Sequence, residues 1–232
     1  MHIAEGRVDE TYINEWRTAR ILCPEALIPA PGQYLLAQAE SGADSPLPVP
    51  VYLAAPTRNG FYAAAPLPVA WTPGTSLGLK GPLGKGFRLP PAARRVLLAS
   101  WSGSPGRVLA LLEACHRQGA EVALVAESTP AGIPLSVEVL ARAALPEAAH
   151  WADYAALDIP REQIESVLAS QPVSDSLHLL SGYAQVFIET PVPCGGLAEC
   201  GVCAVSTRNG IRLACKDGPV FDLAEISIPD RR

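Results

Sequence analysis

Pro193-Cys194-Gly195-Gly196-Leu197-Ala198-Glu199-Cys200-Gly201-Val202-Cys203 places three thiols in ten residues, and a fourth follows in Leu213-Ala214-Cys215-Lys216-Asp217-Gly218-Pro219-Val220-Phe221. The gaps between the cysteines are five, two and eleven residues. Thiolates are soft ligands, so four of them gathered this way point to a metal centre built on sulfur. Gly195, Gly196 and Gly201 permit tight turns with positive φ. Such turns aim successive backbone N–H groups inward, where they stabilise anionic sulfur.

Three sulfur chemistries compete for this stretch. A structural zinc site usually pairs two short Cys knuckles; here only Cys200 and Cys203 form one, with no second knuckle and no nearby histidine. A disulfide framework belongs to small, cysteine-dense secreted chains, whereas this chain has six cysteines in 232 residues. The third chemistry is an iron-sulfur cluster. The spacing resembles the loop of plant-type ferredoxins, C-x4-C-x2-C and a distant Cys around a 2Fe-2S rhomb, with one extra residue in the first gap. Cys23 and Cys115 lie in apolar settings and read as inert, buried thiols.

Composition narrows the class of function. The hydrophobic content of 49% and a mass of 24.4 kDa describe a globular chain able to bury one large or two modest cores. A net charge of -5 and a pI near 5.4 leave no basic stripe for phosphates, so no nucleic-acid partner is expected. No apolar run reaches membrane-spanning length, and the first residues lack an export-signal pattern. Thiols kept free for metal suit a reducing, cytoplasmic compartment.

Before the cysteine loop the hydrophobic period changes once. Up to about residue 90, Tyr34-Leu-Leu-Ala-Gln-Ala, Val49-Pro-Val-Tyr-Leu-Ala-Ala, Gly60-Phe-Tyr-Ala-Ala-Ala and Ser76-Leu-Gly-Leu-Lys alternate with turns such as Arg58-Asn59-Gly60. This spacing predicts a small antiparallel barrel, although Pro46, Pro48, Pro50, Pro66 and Pro68 should confine several strands to edges or irregular stretches. Beyond it, Arg95–Ser100 reads as a buried strand, Arg107–Gln118 as a helix stopped by Gly119, and Glu121–Ala126 as the next strand. Together these make a right-handed βαβ unit with a parallel sheet. Further helices are predicted at 134–145 and 160–169, the latter with Asp158 as cap and Pro160 in its first turn. Strands are expected near 150–157 and within 177–188.

Barrel, α/β layer and cysteine loop follow in that order, with Gly81-Pro82-Leu83-Gly84-Lys85-Gly86-Phe87 at the barrel's end and Leu213 to Leu223 at the tail. In these features the chain resembles the electron-transfer subunit of NAD-linked dihydroorotate dehydrogenases. The resemblance implies a mixed β and α/β fold: a flavin-type barrel (1–92), a ferredoxin-reductase-like α/β layer (93–190) and a 2Fe-2S domain (191–232). It further implies that Cys194, Cys200, Cys203 and Cys215 ligate the cluster. FAD would lie at Gly81, Pro82, Leu83, Gly84 and Gly86, and a catalytic flavoprotein of pyrimidine biosynthesis would be the partner. Two departures stand out. The family's Arg-Pro-aromatic-Ser stretch corresponds here to Val49–Ala54, without the cation or the hydroxyl, and its triple-glycine turn to Ala99–Gly106, with Trp101 and Pro105. An electron-transfer subunit, a cluster-only docking subunit and a zinc-stabilised interaction module therefore stand as three readings. His116 and His178 sit in no catalytic motif, Asp217 and Asp222 read as turn residues, and Lys216 sets a charge beside Cys215.

Overall fold

A computed structural model describes residues 1–13, 15–40, 47–128, 132–170, 173 and 184–227. Six strands close into a barrel: β1 (His2–Ile13), β2 (Arg17–Leu22), β3 (Tyr34–Ala39), β4 (Val49–Thr57), β5 (Gly60–Ala63) and β6 (Ser76–Leu83), in the order β1-β2-β5-β4-β3-β6. All neighbouring pairs are antiparallel. Val8, Ile21, Leu35, Val51, Leu53, Phe61, Leu77 and Leu79 fill the interior. β1 and β2 escape an apolar-stretch criterion because β1 is largely exposed and carries Glu5, Arg7, Asp9 and Glu10. The prolines do not break β4: Pro50 pairs opposite Leu36 and Pro56 opposite Phe61, and a bulge between Leu53 and Ala55 absorbs the irregularity.

The predicted parallel sheet follows. Its strands are β7 (Arg95–Ser100), β8 (Glu121–Val125), β9 (Val137–Leu140), β10 (Tyr154–Pro160), β11 (Ala184–Glu189) and β14 (Val220–Asp222), ordered β14-β11-β10-β7-β8-β9. Only β14 runs antiparallel to its neighbour. Between them in sequence, β12 (Ala204–Thr207) and β13 (Gly210–Leu213) form a hairpin, and Ala214–Asp217 is one helical turn.

Several predicted helices are corrected. The expected helix at 107–118 is two short pieces, α1 (Gly106–Leu109) and α2 (Leu112–Arg117). In place of a helix over 134–145 there is β9, a 3-10 turn at Arg142–Ala144, and then α3 (Leu145–Trp151). The β-branched pair Val137 and Val139 favours the strand, and Pro146 sits where a helix begins, in the first turn of α3. The helix predicted at 160–169 is a 3-10 turn, Arg161–Gln163, leading into α4 (Ile164–Leu168). Asp158 does not cap it, being fully buried within β10. The strand expected from residue 150 starts at Tyr154, since His150 and Trp151 end α3. Of the stretch predicted as strand within 177–188, residues 177–183, including His178, lie outside the described residues, and β11 begins at Ala184.

One apolar core joins all three parts. It takes Tyr34, Leu36 and Tyr52 from the barrel, Leu97, Leu157 and Phe187 from the sheet, and Cys203, Val205, Cys215 and Phe221 from the tail.

Candidate metal centre

The loop from Cys194 to Cys203 is shaped by left-handed residues: Gly195, Gly196 and Gly201 have φ of 63, 74 and 69°, and Ala198 joins them at 62°. Ala198 is the residue no glycine count could find. The Ala214 N–H donates to the Cys203 carbonyl at 2.9 Å, which draws the turn bearing Cys215 against the loop. Cys203 and Cys215 are buried, Cys194 is partly covered, and Cys200 faces solvent.

Cys194 neighbours Cys200, and Cys215 neighbours Cys203. Among the described residues, no three His, Cys, Asp or Glu side chains surround one point closely enough to hold a single ion. Four soft thiolates on a glycine-turned loop suit a rhomb of two irons ligated by sulfur. The loop's polarity suits sulfur anions as well. Partial burial opposes ionisation of Cys194, but the Cys200 thiol and the N–H groups of Glu199, Cys200 and Leu197 outweigh it and bring this thiol down to about 6. Burial, reinforced by the neighbouring Cys203, pushes Cys215 up to about 12. Burial likewise raises Cys23 and Cys115 to about 11, in keeping with thiols outside the site.

Tyr34 of β3 locks this centre to the barrel. Its hydroxyl donates to the Cys215 carbonyl at 2.8 Å. A Cβ on Gly196 would come within 2.9 Å of the same hydroxyl, so glycine is needed there for contact as well as for φ. Outside the barrel, a groove of about 570 Å³ runs from Ile3 and Lys80 past Leu36 and Pro48 to Cys194 and Leu197.

The second region of interest is the seam between barrel and sheet. Arg107, 1% exposed, lies there with fully buried Asp158. Its Nε donates to Asp158 Oδ2 at 3.0 Å, and its Nη2 donates to Asp158 Oδ1 at 3.2 Å and to Glu189 Oε2 at 2.8 Å. Ser102 Oγ adds a bond to Asp158 Oδ2 at 2.8 Å. The guanidinium carbon sits 5.7 Å from the Tyr52 ring centroid and 4.9 Å from that of Phe187. Burial raises the Asp158 carboxyl, while Arg107 and Ser102 pull it back. No feature of the sequence marked Arg107, which reads as an ordinary polar position of a helix.

Residues 194–227 match a family model, the iron-sulfur cluster binding domain of dihydroorotate dehydrogenase B. The match is confined to the cysteine-bearing tail. No curated protein sequence matches the chain. Among solved structures, the chain is similar to an NADH-dependent reduced ferredoxin-NADP oxidoreductase studied for flavin-based electron bifurcation, with a TM-score of 0.72 at 16% identity over 97% of this chain and 90% of that one. It is also similar to the ferredoxin reductase of carbazole 1,9a-dioxygenase, with a TM-score of 0.61 at 16% identity, covering 81% of this chain and 69% of the other. A third is the flavohem-like FAD/NAD binding domain of nitric oxide dioxygenase from Vibrio cholerae, with a TM-score of 0.57 at 16% identity over 81% and 98%. The fold is thus ferredoxin-reductase-like. The tail thus matches an iron-sulfur cluster binding domain, and the whole chain shares the ferredoxin-reductase-like fold.

The four thiols of the iron-sulfur domain fit a 2Fe-2S cluster in number and polarity. Beside the stretch Gly81, Pro82, Leu83, Gly84 and Gly86, two backbone donors are already in use. The Lys85 N–H is given to the Gly218 carbonyl, and the Phe87 N–H to Pro31 at 2.8 Å. A Cβ on Gly84 would meet Gly218 O at 2.7 Å and Pro219 Cδ at 2.8 Å. Gly84 thus serves the packing of barrel on tail.

Proposed function

We propose that this chain is an iron-sulfur electron-transfer subunit, with Cys194, Cys200, Cys203 and Cys215 ligating one 2Fe-2S cluster. The observation that carries the reading is a four-cysteine tail, wound by four left-handed residues and matching a cluster-binding domain over residues 194–227. When bound, the cluster supplies a one-electron carrier whose potential follows burial and hydrogen bonds to sulfur. The chain's residues set those conditions. Leu197, Glu199 and Cys200 direct N–H groups at Cys194, and Ala198 directs one at Cys215. Tyr34 and the shared core keep water from the Cys203 and Cys215 side, while Cys200 leaves the other side open.

The open side is the face for a partner. Leu197 and Val202 flank Cys200 with 59% and 41% exposure. In this reading the partner is a flavoprotein resembling dihydroorotate dehydrogenase, and the setting is cytoplasmic pyrimidine biosynthesis. No helix among the described residues is long and apolar enough to cross a membrane. Segments 1–92 and 93–190 act as the scaffold that presents 191–232.

The test is the visible spectrum of oxygen-free protein before and after dithionite, with iron and sulfide counted. A bleachable sulfide-to-iron band is expected in the wild type and in Cys115→Ser, and its loss in Cys203→Ser and Cys215→Ser. A colourless protein containing zinc would overturn the reading.

A further inference from the structure

We propose that Arg161 is a positioning residue for the cluster: it ties the Cys200–Cys203 knuckle to the parallel sheet and sets there a fixed positive charge that favours the reduced state. The proposal rests on the electron-transfer reading and assigns control of the potential to a residue outside the tail. It begins with the backbone of the knuckle. Each of the carbonyls of Gly201, Val202 and Cys203 has a donor. The Ala204 N–H donates to Gly201 at 3.1 Å, the Ala214 N–H donates to Cys203 at 2.9 Å, and Arg161 Nη1 donates to Val202. The first two bonds lie within the tail. The third comes from 41 residues earlier in the chain, from the 3-10 turn that directly follows β10.

That turn has a firm base. β10 is buried along its whole length and pairs with β7 on one side and β11 on the other. Arg161 itself faces solvent, and its charge has no counterion. Arg20, Arg95, Arg107, Arg142 and Arg212 each pair with a carboxylate, whereas among the described residues none pairs with Arg161. A guanidinium is always protonated, so a full positive charge is held at the carbonyl joined to Cys203. Tyr34 makes the matching contact from the barrel, on the Cys215 carbonyl. The cysteine segments are therefore held from both of the other modules, and only the contact from the sheet brings a charge.

The charge acts through the electron count. Four thiolates and two sulfides make a 2Fe-2S centre anionic, and reduction adds one more negative charge. That electron comes from a reduced flavin on the partner, which is oxidised by one electron; no bond breaks and no proton moves. A cation beside the thiolates stabilises the reduced state more than the oxidised one, and so raises the potential. Water and salt screen a solvent-facing charge, which keeps the effect modest.

The experiment compares wild type, Arg161→Lys and Arg161→Gln, each as the full chain purified without oxygen, by titrating the visible cluster band against redox dyes. In Arg161→Gln the ratio of reduced to oxidised cluster at a given potential should fall about two- to fivefold, a downward shift of about 20–40 mV at about 59 mV per tenfold. Arg161→Lys keeps the charge and should stay near wild type. Raising the salt from about 0.1 to 1 M shortens the screening length from about 10 to 3 Å and should close most of the gap. A purely structural loss would answer neither to lysine nor to salt. The tie is read separately on protein stripped by chelator, where iodoacetamide should reach the buried Cys203 several-fold faster in Arg161→Ala than in wild type. Equal potentials in wild type and Arg161→Gln, a gap indifferent to salt, or equal rates at Cys203 would overturn the proposal and leave the cluster in place. A wild-type chain without the cluster band would instead overturn the electron-transfer reading, and the proposal with it.

Discussion

Tyr34 holds together pieces of chain that are distant in sequence. Its hydroxyl reaches residue 215, its ring edge blocks a side chain at 84, and its tip blocks one at 196. Tyr34→Phe leaves the Cys215 carbonyl without its buried donor, a loss of about 1–2 kcal/mol. Urea unfolding at pH 7 should show that loss, and chelator should strip the cluster several-fold faster from the variant. The iron-sulfur tail was legible in the sequence because cysteine spacing is a local property. Tyr34, Arg107 and Ala198 were not, because their roles depend on which distant segment folds against them. A tyrosine in an apolar strand, an arginine in a helix and an alanine between glycine turns carry no mark of such roles.

At the scale of elements, barrel strands β3 to β6 and the strands β7 and β8 of the first βαβ unit were readable from period alone, whereas the exposed, charged β1 and its partner β2 were not. The stretch 134–151 was misread because alanines and leucines around Pro134 and Pro146 mimic a helical period, whereas pairing of Val122 with Val137 and of Leu124 with Val139 makes a strand. Asp158 looked like a helix cap until β10 was seen to run through it. The link between β7 and the residue before β10 makes a separate prediction. Asp153 accepts the N–H groups of Arg94 and Arg95 at 3.2 and 3.1 Å, and the Arg95 guanidinium at 2.5 and 3.2 Å. Hydrogen bonding from Arg95 holds its carboxyl below the ordinary range. A depressed folded value means that the stabilisation is complete above the unfolded value near pH 3.9 and is lost as pH falls through the folded one. Asp153→Asn should therefore lower the urea midpoint at pH 7, and the gap from wild type should close in titrations taken below about pH 4.

For the molecule as a whole, the continuous core predicts that barrel, sheet and tail unfold together. Tryptophan fluorescence and far-ultraviolet circular dichroism should report one coincident transition. Arg107→Ala leaves Asp158 and Glu189 without their buried cation, and the cost expected from removing one partner of such a set is about 3–5 kcal/mol, read in the same urea experiment. If barrel and sheet were loosely hinged, the variant would instead split the transition in two.

The place of β14 carries a last consequence. This strand comes from the tail, yet it finishes the sheet by pairing with β11 through Gln185, Val186 and Phe187. Cleaving the chain after residue 190 would thus expose an unpaired hydrophobic strand flank, the kind of surface that recruits strands from other molecules. The shortened protein is expected to sediment as oligomers, and a peptide spanning 218–227 added in trans should return it to monomers. The cluster lobe, in other words, also acts as a guard against aggregation.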